Sequence, residues 1–358
     1  MKTKQYLALF ILFAASIQAP AQILRGTVYD AATRKPVPDA FVYLDGTVIS
    51  TTTDVMGRFE IKPPGVINTQ LIVHHLSYAP FTIPNPFQEI PEAIYLQEKS
   101  RQLTEAVVSA DRFTRAQKMK AFKEQFLGTT KPGASCEILN EEDITISYDL
   151  QTQTLTAFSD NPIVVVNRFL GYKIHFTLVE FKTVFSGNKI DHAYARQSFY
   201  AITSSYEDLN PNNRTFQRRR NEVYEHSLAY FYKNLIQGSL EKASFRLFNN
   251  QNQINPYHYL EIEDAPPQKL IRIKSGTDID RFAPGSVRMT LSSQTDSNPI
   301  FGAISVLYKR KIQSGIVFYT DQFFADEYGN TDAYDKILYT GHFGELRAGD
   351  LLPLDYTP

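Results

Sequence analysis

The chain of 358 residues has one cysteine, no tryptophan and four methionines. A single thiol, Cys136, excludes an intramolecular disulfide, so stability has to come from packing. In the run GASCEIL it reads as a small apolar residue where a loop enters a strand, and not as a nucleophile. Charge of one sign is equally lacking. Lys and Arg number 37 against 38 Asp and Glu, for a formal net charge of -1. With no basic excess to hold a phosphate backbone, nucleic acid is not an expected partner. The sequence contains no H-E-x-x-H, no G-x-S-x-G, no persuasive S-x-x-K and no phosphate-binding glycine loop, so the strong catalytic signatures are missing and no cofactor is expected.

What is abundant is aromatic: 21 Tyr and 25 Phe, a bias that suits half-buried strands. The N-terminal residues MKTKQYLALFILFAASIQAPAQ place Lys2 and Lys4 before an apolar run, Tyr6 to Ala15, and then the small residues Ala19, Pro20 and Ala21. This is the order of a secretory signal peptide, with cleavage expected after Ala21. The apolar run falls short of the roughly 20 residues a spanning helix needs, so no transmembrane span is expected in the mature chain. The expected layout is a signal peptide over 1–21, a β-sandwich over 22–99, a linker strand and helix over 100–127, and a larger β-rich domain over 128–358.

Alternation and turn residues mark the strands of the sandwich. Leu24 to Tyr29, Phe41 to Leu44, Thr47 to Thr53, Arg58 to Lys62 and Gln70 to Leu76 all read as strands. Pro36 and Pro38 fall in a connection, and Asp45-Gly46 is a tight turn. Seven short strands fit before residue 100. The order GTVYDAATRKPVPDAFVYLDGT then TTTDVMGRFEI resembles the carboxypeptidase-regulatory-like domain, at positions Gly26, Pro38, Ala40, Asp54, Gly57, Arg58 and Phe59. The resemblance implies a noncatalytic transthyretin-like sandwich, often found behind the signal peptide of envelope proteins and TonB-dependent receptors in Gram-negative bacteria. RQLTEAVVSA, residues 101–110, is similar to the segment that follows this domain in such receptors, yet the remaining length of about 250 residues is too short for a plug and a large barrel.

Beyond the sandwich the period changes. Asp111 to Leu127 reads as a helix closed by Gly128, with Asp111 as its cap. CEILN, ITISYDL, QTLTAF, IVVVNRF, GYKIHFTLVEFKTVF and DHAYARQSFYAITSS read as strands. A second helix is expected over NPNNRTFQRRRNEVYEHSLAYFYKNLIQGS, with Phe216, Val223, Tyr224, Ser227, Leu228, Phe231 and Leu235 on one stripe and Gly238 at its end. Strands follow at ASFRLF, YHYLEI, KLIRIK, SVRMTLSS, ISVLYKRKI, GIVFYT and KILYTG, before an extended closing segment. The fold class expected is therefore mainly β, a seven-stranded sandwich followed by a larger β-rich α+β domain with two notable helices. This C-terminal part, including FKEQFLG, RRRNEVYEHSLAYFYKNL and LLPLDYTP, is similar to that of a group of secreted bacterial proteins carrying the same N-terminal domain.

Three features could carry binding. Arg218, Arg219 and Arg220 offer guanidinium forks to an anion or a partner, against the plainer reading of a solvated helix face. Asp321, Asp326 and Asp332, with Gly329, form a loose calcium-like loop lacking the spacing of an EF-hand, against the plainer reading of a hairpin turn. His74 and His75 are adjacent in a strand, face opposite sides and are not expected to share a metal. The function expected is that of a noncatalytic secreted or cell-envelope protein, periplasmic, associated with the outer membrane or extracellular, that docks another envelope protein or a glycan. The alternative is an envelope hydrolase acting on peptide or glycan through residues in 128–358.

Overall fold

In the computed structural model of the chain, residues 22–99, 112–249, 252–274, 301–333 and 336–358 are described. Residues 1–21, where a signal peptide is expected, the segment 101–110, Asp111 and the strand expected at SVRMTLSS lie outside the described residues. Hydrophobic side chains gather into three clusters.

The first cluster is the sandwich, with all seven strands. β1 (Leu24–Asp30), β4 (Arg58–Ile61) and β7 (Ala93–Leu96) form one sheet in the order β4-β1-β7. β2 (Phe41–Leu44), β3 (Ser50–Thr52), β5 (Leu71–His75) and β6 (Tyr78–Ile83) form the other in the order β3-β2-β5-β6. Alternate residues of the two sheets meet inside, among them Leu24, Val28, Val42, Leu44, Phe59 and Val73. Asp54 closes the turn into β4 by accepting from the backbone of Met56 and Arg58, and Gly57 (φ +72) allows that turn to approach the Val28 carbonyl. β3 is shorter than the expected Thr47 to Thr53. At residues 46–48 the chain reaches outward, where Thr47 forms a bridge to Ser205, and it returns at Ile49, whose carbonyl accepts from Leu44 of β2.

The second cluster is built on a six-stranded sheet. β8 (Cys136–Ile138), β9 (Ile144–Asp149), β10 (Thr154–Ser159) and β11 (Ile163–Asn167) lie along one side of the 14-residue β12 (Tyr172–Phe185). The equally long β13 (Ala195–Asp208) pairs with its other side. Helix α1 (Arg115–Phe126) covers one face, burying Met119, Phe122 and Phe126. Its cap is Thr114, in a reciprocal capping box with Gln117, and not Asp111. This helix belongs to the core of the sheet and does not act as a linker, because its apolar stripe has no other surface to bury against.

The single long helix expected within residues 210–239 and closed by Gly238 is two. α2 (Arg214–Glu225) ends at His226, and Ser227 starts α3 (Leu228–Ile236) by accepting from the Tyr230 amide. A serine that reads as part of the apolar stripe is here an N-cap, which breaks the helix because its side chain competes for backbone donors. α2 lies against the second cluster, whereas α3 enters a third.

That third cluster is formed by two sheets. One has the order β15-β14-β18-β19-β21, from β14 (Phe245–Asn249), β15 (Asn252–Ile254), β18 (Gly302–Tyr308), β19 (Ile312–Phe318) and β21 (Ile337–Gly341). The other is β16-β17-β20, from β16 (Leu260–Ala265), β17 (Gln268–Ile273) and β20 (Gln322–Ala325). Residues 128–358, expected to hold one larger domain, thus contribute to two cores, the first of them shared with α1. No helix among the described residues is long and apolar enough to cross a membrane.

Candidate binding cleft at the three-way junction

The loop at residues 45–49 joins the sandwich, the six-stranded sheet and the C-terminal segment. Gly46 donates to Ser204 O at 2.7 Å, and Tyr206 donates to Thr47 O at 2.9 Å, so the loop meets the outer edge of β13 in one parallel bridge, Thr47 to Ser205. Asp45 accepts from the Ser204 amide (2.6 Å) and from Gln70 Nε2 (3.1 Å). Burial still pushes its carboxyl above the ordinary value. The C-terminal segment then seals the loop, with Leu354 donating to Gly46 O at 2.7 Å and Val48 donating to the Asp355 carboxylate at 3.3 Å. Gly46 (φ +72) is required twice over, because a Cβ there would also meet the Leu354 side chain at 2.9 Å.

Beside this seam opens a cleft of about 620 Å³. Tyr172 and Arg220 form its floor. Gln217 and Asn221 come from α2, Val48 from the sandwich, and Asp355 and Tyr356 from the C-terminal segment. Arg220 is placed by helix register. It sits one turn beyond Phe216, whose ring packs over Gly171, where φ is +72 and a Cβ has no room. The buried guanidinium donates to Leu170 O (2.7 Å), to Gly171 O (3.0 Å) and through two nitrogens to Asp208 (2.6 and 2.9 Å). It also lies 3.9 Å from the centre of the Tyr172 ring. Burial drives the Tyr172 hydroxyl upward, against the pull of the Arg220 charge. Asp355 is likewise raised by burial, offset in part by the Val48 amide. The Tyr356 hydroxyl bonds Asn221 Oδ1, and its ring meets Tyr224 edge-on with centres 5.6 Å apart.

The arginine run therefore divides. Arg220 is consumed by the fold, Arg219 stacks on Phe169 (4.6 Å) and donates to its carbonyl (3.3 Å), and Arg218 stands exposed. The stripe Phe216, Arg220, Val223 and Tyr224 carries the signal that Arg220 points inward, since it shares helical spacing with apolar neighbours. Asp208, Asn221, Asp355 and Tyr356 carry no local pattern, and only the pairing of β12 with β13 and the return of the C-terminus assemble them.

The three aspartates of the calcium-like loop also separate. Asp326 is buried and its two oxygens accept from the amides of Asn68, Tyr328 and Asn330 and from Asn330 Nδ2, at 2.8 to 3.0 Å. Asp332 accepts from the Phe324 amide at 2.8 Å. The Asp321 carbonyl accepts from Ile273 at 2.7 Å. Among the described residues no three His, Cys, Asp or Glu side chains are grouped to hold a metal ion. His74 is held neutral by burial, reinforced by the charge of Lys99, its pKa falling to about 4. Cys136 is pushed up to about 12 by burial and then by Asp350, so its thiolate is not accessible near neutral pH.

No curated protein matches the chain. Residues 24–108 match the family model of the CarboxypepD_reg-like domain, a noncatalytic module fold. The match spans β1 to β7, so this chain carries a carboxypeptidase-regulatory-like domain, followed by a larger β-rich region.

Proposed function

We propose that this is an exported, noncatalytic binding protein of the cell envelope whose three-way cleft takes a hydroxyl-rich ligand, a glycan. The observation that carries the reading is the composition of the cleft. Asp208, Gln217, Asn221 and Asp355 supply carboxylate and amide groups, with Tyr356 as a half-buried aromatic beside them. Paired donors and acceptors next to a ring suit the alternating hydroxyls and apolar face of a sugar. Clefts where separate bodies meet are common ligand sites. The sandwich supports this reading as the scaffold that holds the cleft's rim through Val48 and the 45–49 loop.

The test is a screen of the mature chain against envelope oligosaccharides, with affinities by calorimetry. Tyr356→Ala is expected to weaken a captured glycan by about tenfold, a loss of one aromatic contact and one hydrogen bond. Equal affinity in this variant would overturn the assignment of the cleft. N-terminal sequencing of the protein isolated from cells tests export, with Gln22 expected as the first residue and Met1 refuting it.

A second reading, a hydrolase acting on glycan, is favoured by one observation. Asp208 and Asp355 line the same cleft in unlike settings, the first ion-paired to a buried arginine and the second raised by burial. Two carboxyls in contrasting environments are the equipment of acid–base glycosidic cleavage, Asp355 as proton donor and Asp208 as the charged partner. Release of reducing ends that disappears in Asp355→Asn, with binding kept, would select this reading over the first.

A further inference from the structure

We propose a second ligand site, independent of the junction cleft, that binds a phosphoryl group at the β18–β19 hairpin of the third core. A cleft of about 640 Å³ opens there, lined by Ser244, Phe245, Arg246, Gln253, Lys309 and Arg310, with Glu241 also at its wall. Its cations differ from the arginines of α2 in how they are used. Arg246 lies on the solvent side of β14 and Arg310 is exposed in the hairpin turn. Neither is in an ion pair among the described residues, whereas Arg220 spends its guanidinium on four hydrogen bonds within the fold. Lys309 is anchored from one side, its ammonium 2.5 Å from Glu225, which also accepts from the Tyr308 hydroxyl at 3.1 Å.

The backbone adds a second, separate observation. Lys309 (φ +46), Arg310 (φ +59) and Ser244 (φ +68) are all left-handed, and the Lys309 amide donates to Ser244 O at 3.0 Å, tying the two turns into one rim. Lys309 and Arg310 open the three-residue connection between the paired residues Tyr308 and Ile312, and two successive positive-φ positions are ones that Gly or Asn fills at less cost. Here the strained positions are filled by two cations, and strain kept against a cheaper alternative points to a use. Two guanidinium forks, an ammonium, a hydroxyl and an amide facing one cleft match the several oxygens and negative charge of a phosphoryl group. Glu241 narrows the choice to ligands that place their charge at the arginine end.

The experiment titrates the full mature chain with pyrophosphate, and separately co-sediments it with vesicles of phosphatidylcholine alone or mixed with phosphatidylglycerol. Saturable binding of pyrophosphate at millimolar or lower concentration is expected, weakened about tenfold in Arg246→Gln, which removes one charge-assisted contact without touching the turn. Arg310→Gly is expected to weaken binding similarly while raising the melting temperature, because it relieves a left-handed residue. A headgroup source is indicated if phosphatidylglycerol vesicles retain the wild type and release both variants. A soluble source is indicated if only pyrophosphate binds. No saturable binding by the wild type to either probe, or unchanged affinity in Arg246→Gln, overturns the proposal.

Discussion

Replacing Asp326 by alanine probes the contact that ties the sandwich to the third core. The carboxylate accepts four hydrogen bonds, and three of the donors are backbone amides of Asn68, Tyr328 and Asn330. Asn330 in turn donates from its side chain to Leu354 O at 2.9 Å and accepts from Asn68 Nδ2 at 3.0 Å, so one acidic group organises the sandwich, the β20 turn and the C-terminal segment. The turn cannot simply relax, because Gly329 (φ +93) lies directly on the backbone of α3 at Ala229 and Lys233. Each buried donor left without an acceptor costs about 1 to 3 kcal/mol. Against that stands the relief of a carboxylate whose burial already disfavours its charge, as its raised pKa records. The net expectation is a loss of about 3 kcal/mol, near the lower end for breaking a buried charged network. Hydrogen exchange reads it most directly: the Asn68 amide is expected to exchange about a hundredfold faster in Asp326→Ala, the equivalent of that loss. Unchanged protection at Asn68, or a shift in denaturation midpoint worth less than about 1 kcal/mol, would refute the reasoning.

Three further outcomes follow from the same geometry. Arg220→Met keeps the apolar volume but strands Asp208 and two carbonyls, and is expected to cost about 3 to 5 kcal/mol in chemical denaturation; a loss below about 1 kcal/mol would mean that the guanidinium is not what joins α2 to the β11–β12 turn. Ser227→Ala removes the cap of α3 and is expected to cost about 1 kcal/mol, with exchange quickened at the Tyr230 amide first; uniform quickening along α3 would contradict a capping role. For His74 the folded pKa, about 4, lies below the ordinary 6.5. The unfolded chain then binds more protons between those values, so stability is present above pH 6.5 and declines as pH falls toward 4. His74→Gln is expected to flatten that part of the stability profile, and an unchanged slope between pH 6.5 and 4 would count against a buried neutral ring.

Local pattern made much of the sandwich legible. Alternation in Leu24–Asp30 and Phe41–Leu44, the Asp54-to-Gly57 turn and the β-branched residues before it are each written in a few adjacent residues. Thr47 misleads for a physical reason, since its backbone pairs with the neighbouring β13 edge, whereas Ile49 still accepts from Leu44 of β2. Ser227 misleads in the opposite direction, because one hydroxyl outweighs a continuous apolar stripe. The junction cleft was not legible in the same way. Asp208 and Arg220 are 12 residues apart, but Asp355 reaches them only when the C-terminal segment returns across Gly46. Such sites depend on long-range pairing, for which no short window of sequence carries a period or a motif.

That pairing also gives the N-terminal module a physical task within its own chain. β13 has β12 along one side only, and a 14-residue edge is a template for unwanted strand addition. Where the edge reaches Ser204–Tyr206, the 45–49 loop occupies it with two backbone hydrogen bonds and the Asp45 carboxylate, and Ser204, Ser205 and Tyr206 are buried as a result. From Ala195 to Ile202 the strand stays partly or fully exposed, with Phe199 on its surface. The covered half is the half that borders the junction cleft. Removing the sandwich should therefore do more than delete a module. It would bare the rest of the edge, take away Val48 and the amide that holds Asp355, and leave the C-terminal segment without its anchor at Gly46, so a chain starting near residue 112 is expected to self-associate by sheet extension and to lose the cleft together. A truncated chain that stays monomeric in sedimentation and keeps ligand affinity would show that the sandwich and the cleft are energetically separate.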